Sequence, residues 1–208
     1  FVENTDNLDM EITDALFKHL GRAYRIGVTG PPGAGKSSLV DRIITYWRNQ
    51  GKRIAVISVD PTSPFTGGAI LGDRVRMGRH YADKGVFIRS MATRGSHGGL
   101  ALRAQDAADI FDAAGYDIIV YETVGVGQVE LDVAKAADTT LVVLVPESGD
   151  DIQAMKAGLM EIADLFIINK ADRQGANQAF AQIQSMLEMR HPEKGQWPPQ
   201  VIKTSALK

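Results

Sequence analysis

Between Gly30 and Ser37 the chain reads G-P-P-G-A-G-K-S, and Ser38 follows. The string fits G-x-x-x-x-G-K-[ST], and its setting fits as well: an apolar run, YRIGVT, precedes it and a helix-period segment follows. Glycines at Gly30, Gly33 and Gly35, with Ala34 between them, let backbone N–H groups turn inward on phosphate oxygens. The positive end of the following helix adds to that attraction. Lys36 is placed to reach the β- and γ-phosphates, and the hydroxyl of Ser37 to bind Mg²⁺. The pattern predicts a nucleoside triphosphate site.

A second string names the base. FIINKAD places Asn169, Lys170 and Asp172 at the end of an apolar run. Guanine presents N1–H and the N2 amine side by side, and one carboxylate such as Asp172 can accept both. Adenine would leave that carboxylate unpaired, at a cost of about 1–3 kcal/mol or more. Asn169 could bind the O6/N7 edge or tie loops together, and the Lys170 stem could pack on the base. Ser205, Ala206 and Leu207, late in the chain, supply a loop of backbone donors near the guanine O6. The expected nucleotide is therefore GTP or GDP rather than ATP.

Three carboxylates are candidates for the metal. Glu122 closes the run YDIIVYE, Asp60 ends RIAVISVD, and Asp73 lies in GGAILGDRVRM. Mg²⁺ takes oxygen ligands and keeps several waters, so one or two carboxylates suffice. Asp60 reads equally as a turn starter before Pro61, and Asp73 as a helix cap. Gly125, three residues past Glu122, could offer its N–H to the γ-phosphate. The next position, where Ras-like enzymes carry a water-orienting Gln, is Val126. Gln128 is the nearest amide, and a solvated first-turn Gln is the equal alternative. Arg74, Arg76 and Arg94 fall in loops from which a cation could reach a transition state. These features predict slow hydrolysis that a partner accelerates.

The elements that must position these residues alternate. Apolar, β-branched runs cover 24–29, 53–59, 85–91, 116–122, 139–145, 164–169 and 200–205, with helix-period segments such as GKSSLVDRIITYWRNQ between most of them. That order predicts an α/β, three-layer αβα fold of the P-loop NTPase kind, with a mostly parallel sheet of about seven strands. Right-handed crossovers would then align the strand C-terminal ends along one edge, where ligands bind. Residues 1–22 read as a helical appendage and 23–208 as one domain. The Pro-rich stretch 190–199 is a loop. The start at Phe1 and the stop at Lys208 suggest a piece of a longer chain.

Bulk properties narrow the function classes. The 208 residues carry 23 basic and 25 acidic side chains, a net charge of −2, which argues against a nucleic-acid surface. There are no cysteines, so thiolate metal sites and disulfides are excluded. The four histidines, His19, His80, His97 and His191, are scattered, which disfavours a nickel metallochaperone. An ATP-dependent kinase would need an adenine site, and N-K-A-D argues against one. No run approaches the ~18 apolar residues of a membrane-spanning helix. A soluble, cytoplasmic protein is expected, with a mitochondrial matrix homologue as the alternative.

Several longer strings, VDPTSPFTGGAILGDRVRM, ETVGVGQVE, ESGDDIQAMKAG and NKAD behind GPPGAGKSS, resemble the MeaB/ArgK family of P-loop GTPases. The similarity runs from about residue 22 to 207. Members are G-protein chaperones of adenosylcobalamin-dependent acyl-CoA mutases such as methylmalonyl-CoA mutase. The resemblance implies that GTP binding and hydrolysis gate cofactor loading and protection of such a mutase, and that the full-length protein is a homodimer. It also implies that Asp60, Asp73 and Glu122 are the Mg²⁺ and switch carboxylates, and Arg76 a switch residue. The loop 146–158 would be a further switch through which the mutase is read, with Asp150 and Lys156 as polar contacts. From pattern alone that loop is a strand exit and a helix start, capped by Ser148 or Asp150.

Overall fold

The computed structural model describes residues 16–60, 77–92, 99–123, 134–147, 159–189 and 197–206. Within them seven strands form one sheet: β1 (Tyr24–Thr29), β2 (Ile54–Asp60), β3 (Val86–Ala92), β4 (Ile118–Thr123), β5 (Thr139–Leu144), β6 (Leu165–Ile168) and β7 (Gln200–Lys203). Their spatial order is β3-β2-β4-β1-β5-β6-β7, and every pairing is parallel. The seven runs marked in the sequence are these seven strands, with no end shifted by more than two residues. Helices with bounds among the described residues include α1 (Lys36–Arg48), α2 (Gly99–Ala113), α3 (Leu159–Ile162) and α4 (Ala176–Glu188), with a 3-10 turn at Gly78–His80.

Two-residue periodicity divides the sheet into its faces. Ile54, Val56, Ile118, Val120, Leu141, Val143 and Ile167 share a core with α1, whose Val40 and Ile44 lie one turn apart and fully buried. The alternate residues of β2 and β4, including Ile57, Ile119 and Tyr121, pack on Ala104 and Ala108 of α2. Val142, Leu144, Phe166 and Ile168 pack on Ala179 and Ile183 of α4. Both faces of the central strands are covered, so β2, β4, β5 and β6 are buried over nearly their whole length while β3 and β7 lie at the edges, and the three layers are αβα.

The N-terminal edge of the sheet is held by a repeated device. Asp117, Asp138 and Asp164 each stand one residue before a strand (β4, β5 and β6). Their carboxylates accept the backbone N–H of Arg53, Arg25 and Thr140 respectively, each at 2.7 Å. Each aspartate also donates its own N–H to the carbonyl of the same neighbour, at 2.9, 2.8 and 3.0 Å. The strand-start amide of one chain segment is thus closed by the side chain that opens the next. The Arg53 N–H, with Lys52 beside it, holds the Asp117 carboxyl below its ordinary range.

Asp112, near the end of α2 and 1% exposed, does the same for the entry to β1. It accepts the N–H groups of Gly21, Arg22 and Ala23 at 2.8, 3.1 and 3.0 Å. Removing it would leave these three amides without their acceptor and Arg25 paired with Asp109 alone. Asp112→Ala is expected to lower unfolding stability by about 3 kcal/mol, read from urea denaturation, and Asp112→Asn, which keeps one acceptor oxygen, by less.

Candidate functional site

All the described site residues lie at the C-terminal edge of the sheet, opposite the aspartate clasps. β1 ends at Thr29 and the chain turns at Gly30, whose φ is 136°. A Cβ at Gly30 would stand 2.0 Å from the carbonyl oxygen of Val143 on β5, so the loop leaves the sheet against a neighbouring strand where only glycine fits. The loop closes at Gly35, which is left-handed (φ 88°) and caps α1 without a side-chain hydrogen bond. With no acidic residue in the first turn, the helix presents its N–H groups and positive end to whatever the loop holds. Ala34 is fully buried beneath the turn.

Lys36 and Ser37 are both buried. The Lys36 ammonium donates to the carbonyls of Gly30 and Pro31, at 2.7 and 3.0 Å, which folds it back across its own loop. The Ser37 hydroxyl donates to Glu122 Oε1 at 2.5 Å, a short charge-assisted bond. Glu122, at the end of β4, is 5% exposed. A cavity of about 410 Å³ opens between the phosphate loop and the ends of β2 and β4, with Gly33, Lys36, Ser37, Ser38, Glu122 and Lys170 in its wall.

The donor set suits Mg²⁺. A hydroxyl and a carboxylate within hydrogen-bond reach of each other are hard oxygen ligands, and phosphate and water oxygens complete such a shell. Among the described residues no group of three or more His, Asp or Glu side chains gathers as an all-protein metal cage. Asp60 closes β2 at this same edge. Its side chain, and the whole of Asp73, Arg76, Gly125, Gln128, Asp150, Lys156 and Leu207, lie outside the described residues. Tyr121, beside Glu122, belongs to the core on the opposite face of the sheet, and burial pushes its phenol up to about 12. It stays neutral.

The second half of the site is a knot of loops around Asn169, which is 2% exposed. Its amide donates to the Ala34 carbonyl at 2.8 Å, and its oxygen accepts from Thr204 Oγ1 and from the Ala206 N–H, each at 3.3 Å. Of the two roles open to Asn169 from sequence, the described geometry is that of loop tying. The Ala206 N–H is accordingly turned onto Asn169. Lys170 has φ 55°, rare for a residue with a Cβ, and its ammonium donates to the Gly33 carbonyl at 2.7 Å. Ser205 donates its hydroxyl to Asp172 Oδ1 at 2.8 Å. The Lys170 stem therefore crosses from the Asn169 knot to the phosphate loop, with Asp172 and Ser205 alongside.

Four contributors were not singled out by motif. Arg42, on α1, donates to the Ala206 carbonyl at 2.8 Å and so ties the helix to the last loop. Thr123 donates to Thr29 at 3.0 Å, joining the ends of β1 and β4. Ser58 lines the cavity from β2. Its signal was legible: IAVISVD is a near-continuous apolar strand interrupted by one hydroxyl.

A glycine-rich loop between β1 and α1, a carboxylate ending the adjacent strand and an Asn-Lys-x-Asp end on β6 define a P-loop nucleotide-binding protein. Comparison with known proteins carries this further. The chain belongs to the family described as methylmalonyl Co-A mutase-associated GTPase MeaB, whose model matches residues 1–208. A relative from Pyrococcus abyssi is 54% identical over 207 residues, covering 99% of this chain and 64% of its own. GTPase ArgK of Escherichia coli is 41% identical over 203 residues, with 96% and 61% covered. The methylmalonic aciduria type A homolog, mitochondrial, of Caenorhabditis elegans is 37% identical over 198 residues, with 92% and 50% covered. A solved structure of an LAO/AO transport system kinase superimposes with a TM-score of 0.75 at 32% identity, covering 95% of this chain and 58% of that one. The chain thus spans less than two thirds of the length of these relatives.

The knot is testable by itself. Asn169→Ala strips partners from the Ala34 carbonyl and the Ala206 N–H, both buried. A loss of about 2 kcal/mol is expected, read as a lowered Tm, together with loss of nucleotide binding.

Proposed function

We propose that this domain binds GTP with Mg²⁺, hydrolyses it slowly, and uses the difference between its GTP and GDP forms to gate cobalamin loading and protection of an acyl-CoA mutase. The observation that carries the nucleotide reading is the tie between the two halves of the site. Asn169 and Lys170 both bond to the phosphate loop, which sets Asp172 at a fixed distance from the glycines, as a base and its triphosphate require. Asp172, held by Ser205, would accept guanine N1–H and N2–H, with Ser205, Ala206 and Leu207 as the loop beside the base.

The chain's own residues then divide the work. The amides of Gly33, Ala34 and Gly35 and the first-turn amides of α1, at Lys36, Ser37 and Ser38, cradle phosphate oxygens. Lys36 would exchange its bonds to the Gly30 and Pro31 carbonyls for the β- and γ-phosphates. Ser37 and Glu122 would hold the Mg²⁺ ion, which when bound neutralises charge on those phosphates, and Asp60 and Asp73 are the further carboxylates for it. Gly125 would sense the γ-phosphate and Gln128 orient the attacking water. Arg76, Asp150 and Lys156 are assigned to the switches that the mutase reads. The family's printed association with methylmalonyl-CoA mutase supports that partner. Residues 1–22 are taken as an appendage to a single domain at 23–208, and the full-length protein as a homodimer. Among the described residues no helix is long and apolar enough to cross a membrane, in keeping with a cytoplasmic site of action or, as for the nematode relative by name, a mitochondrial one.

Base choice is expected to follow Asp172. GTP should stabilise the chain against heat more than ATP does, and Asp172→Ala should weaken GTP binding by roughly 10–100-fold while leaving ATP binding unchanged. Preferential stabilisation by ATP would overturn the assignment. For the partner, the protein loaded with GTP or GDP should capture a cobalamin-dependent acyl-CoA mutase in one state over the other and turn over faster in its presence. Equal capture and equal turnover would rule out gating.

A further inference from the structure

The sheet register places a polar row beneath the phosphate loop. Ser90 of β3 pairs with Ser58 of β2, and Ser58 pairs with Glu122 of β4. Partners in a parallel register project to the same face, about 4.8 Å apart. That face is the one under α1, since Val56 and Val120, two residues earlier on β2 and β4, belong to the α1 core and Ile88 of β3 packs against it. The preceding row is therefore Ile88, Val56, Val120 and Ile26, all apolar. One step along the strands it becomes Ser90, Ser58 and Glu122.

Ordinary packing does not account for that step. Ser58 is 1% exposed and lies in the wall of the cavity with Ser37 and Glu122. Ser90 Oγ is buried and has no hydrogen-bond partner, a condition that costs about 1–3 kcal/mol where an alanine would cost nothing. Two adjacent hydroxyls beside a carboxylate suit an ion that keeps part of its hydration shell, because water bound to Mg²⁺ donates strongly and needs acceptors around it.

We propose that Ser58 is a positioning residue of the metal site: its hydroxyl, beside Glu122 in the sheet register, steadies that carboxylate and accepts a hydrogen bond from a water of the Mg²⁺ shell, and the Ser90 hydroxyl, unpaired here, turns onto Ser58 when the ion is bound. The inference rests on the Mg²⁺–GTP reading above and adds to it a residue and a layer of the shell. In this role Ser58 meets the water of the ion and not a phosphate. Its contribution is to how tightly the ion is held, not to how the nucleotide is held without it.

A binding titration separates the two. The affinity for a fluorescent GDP is measured in EDTA and across a series of Mg²⁺ concentrations, for the native chain and for Ser58→Ala, Ser58→Thr and Ser90→Ala. Ser58→Ala should raise the Mg²⁺ concentration at half-effect by about tenfold, the value of one lost hydrogen bond near a charge, and leave the affinity in EDTA unchanged. Ser58→Thr, which keeps the hydroxyl, should restore the native half-point, and Ser90→Ala should give a smaller shift. If Ser58→Ala does not fold, Ser58→Cys, of nearly the same volume, carries the same expectation. An unchanged Mg²⁺ half-point, or a weakening of equal size with and without Mg²⁺, overturns the proposal in favour of a packing role. A native chain that binds GDP with no Mg²⁺ dependence overturns the metal reading itself, before any variant is measured.

Discussion

A parallel sheet hydrogen-bonds all its strands in one direction, and this constraint organises the whole domain. It brings every strand's C-terminal end to one edge, so loops far apart in sequence become neighbours there. The phosphate loop leaves β1, Glu122 and Thr123 close β4 and Lys170 lies just past β6, yet all three line one cavity. The opposite edge must then close strand-start amides that have no partner within the ladder. Asp117, Asp138 and Asp164 do so by one repeated bond, each at 2.7 Å. The chemistry can occupy one edge because the other edge is closed by side chains.

The phosphate half of the site depends on two close approaches. Gly30 passes so near Val143 that a methyl group has no room, and a Cβ at Gly35 would stand 2.5 Å from the Asn169 amide. The first fixes where the loop leaves the sheet. The second fixes how near the base-side knot can come to the start of α1. Both glycines also hold positive φ, so the same residue type answers a steric and a conformational demand.

Much of this was legible in the sequence. Apolar runs separated by helix-period segments marked all seven strands, most clearly β2, β4, β5 and β6, because strands buried on both faces cannot alternate with polar residues. The phosphate loop and Asn-Lys-x-Asp were legible because each packs its chemistry into a short string. What was not legible depends on distance along the chain. Nothing local to Asn169 says whether its amide faces a base or a loop; that is decided by Ala34 and Ala206. The aspartate clasps look like ordinary turn residues until the register shows which amide each one meets. Ser58 was visible as an odd hydroxyl, but its neighbours Glu122 and Ser90 are set by strand order, which composition does not encode.

The Asn169 knot also has a consequence for how the protein comes to exist. Its amide reaches back 135 residues to Ala34 and its oxygen accepts from Ala206, 37 residues ahead. During synthesis the glycine loop emerges well before β7 and the loop after it. The loop cannot take its final fastening until Ala206 has emerged and the end of the sheet has closed. Competence to hold a nucleotide thus waits on β7 and the loop after it, made long after the glycines that cradle the phosphates.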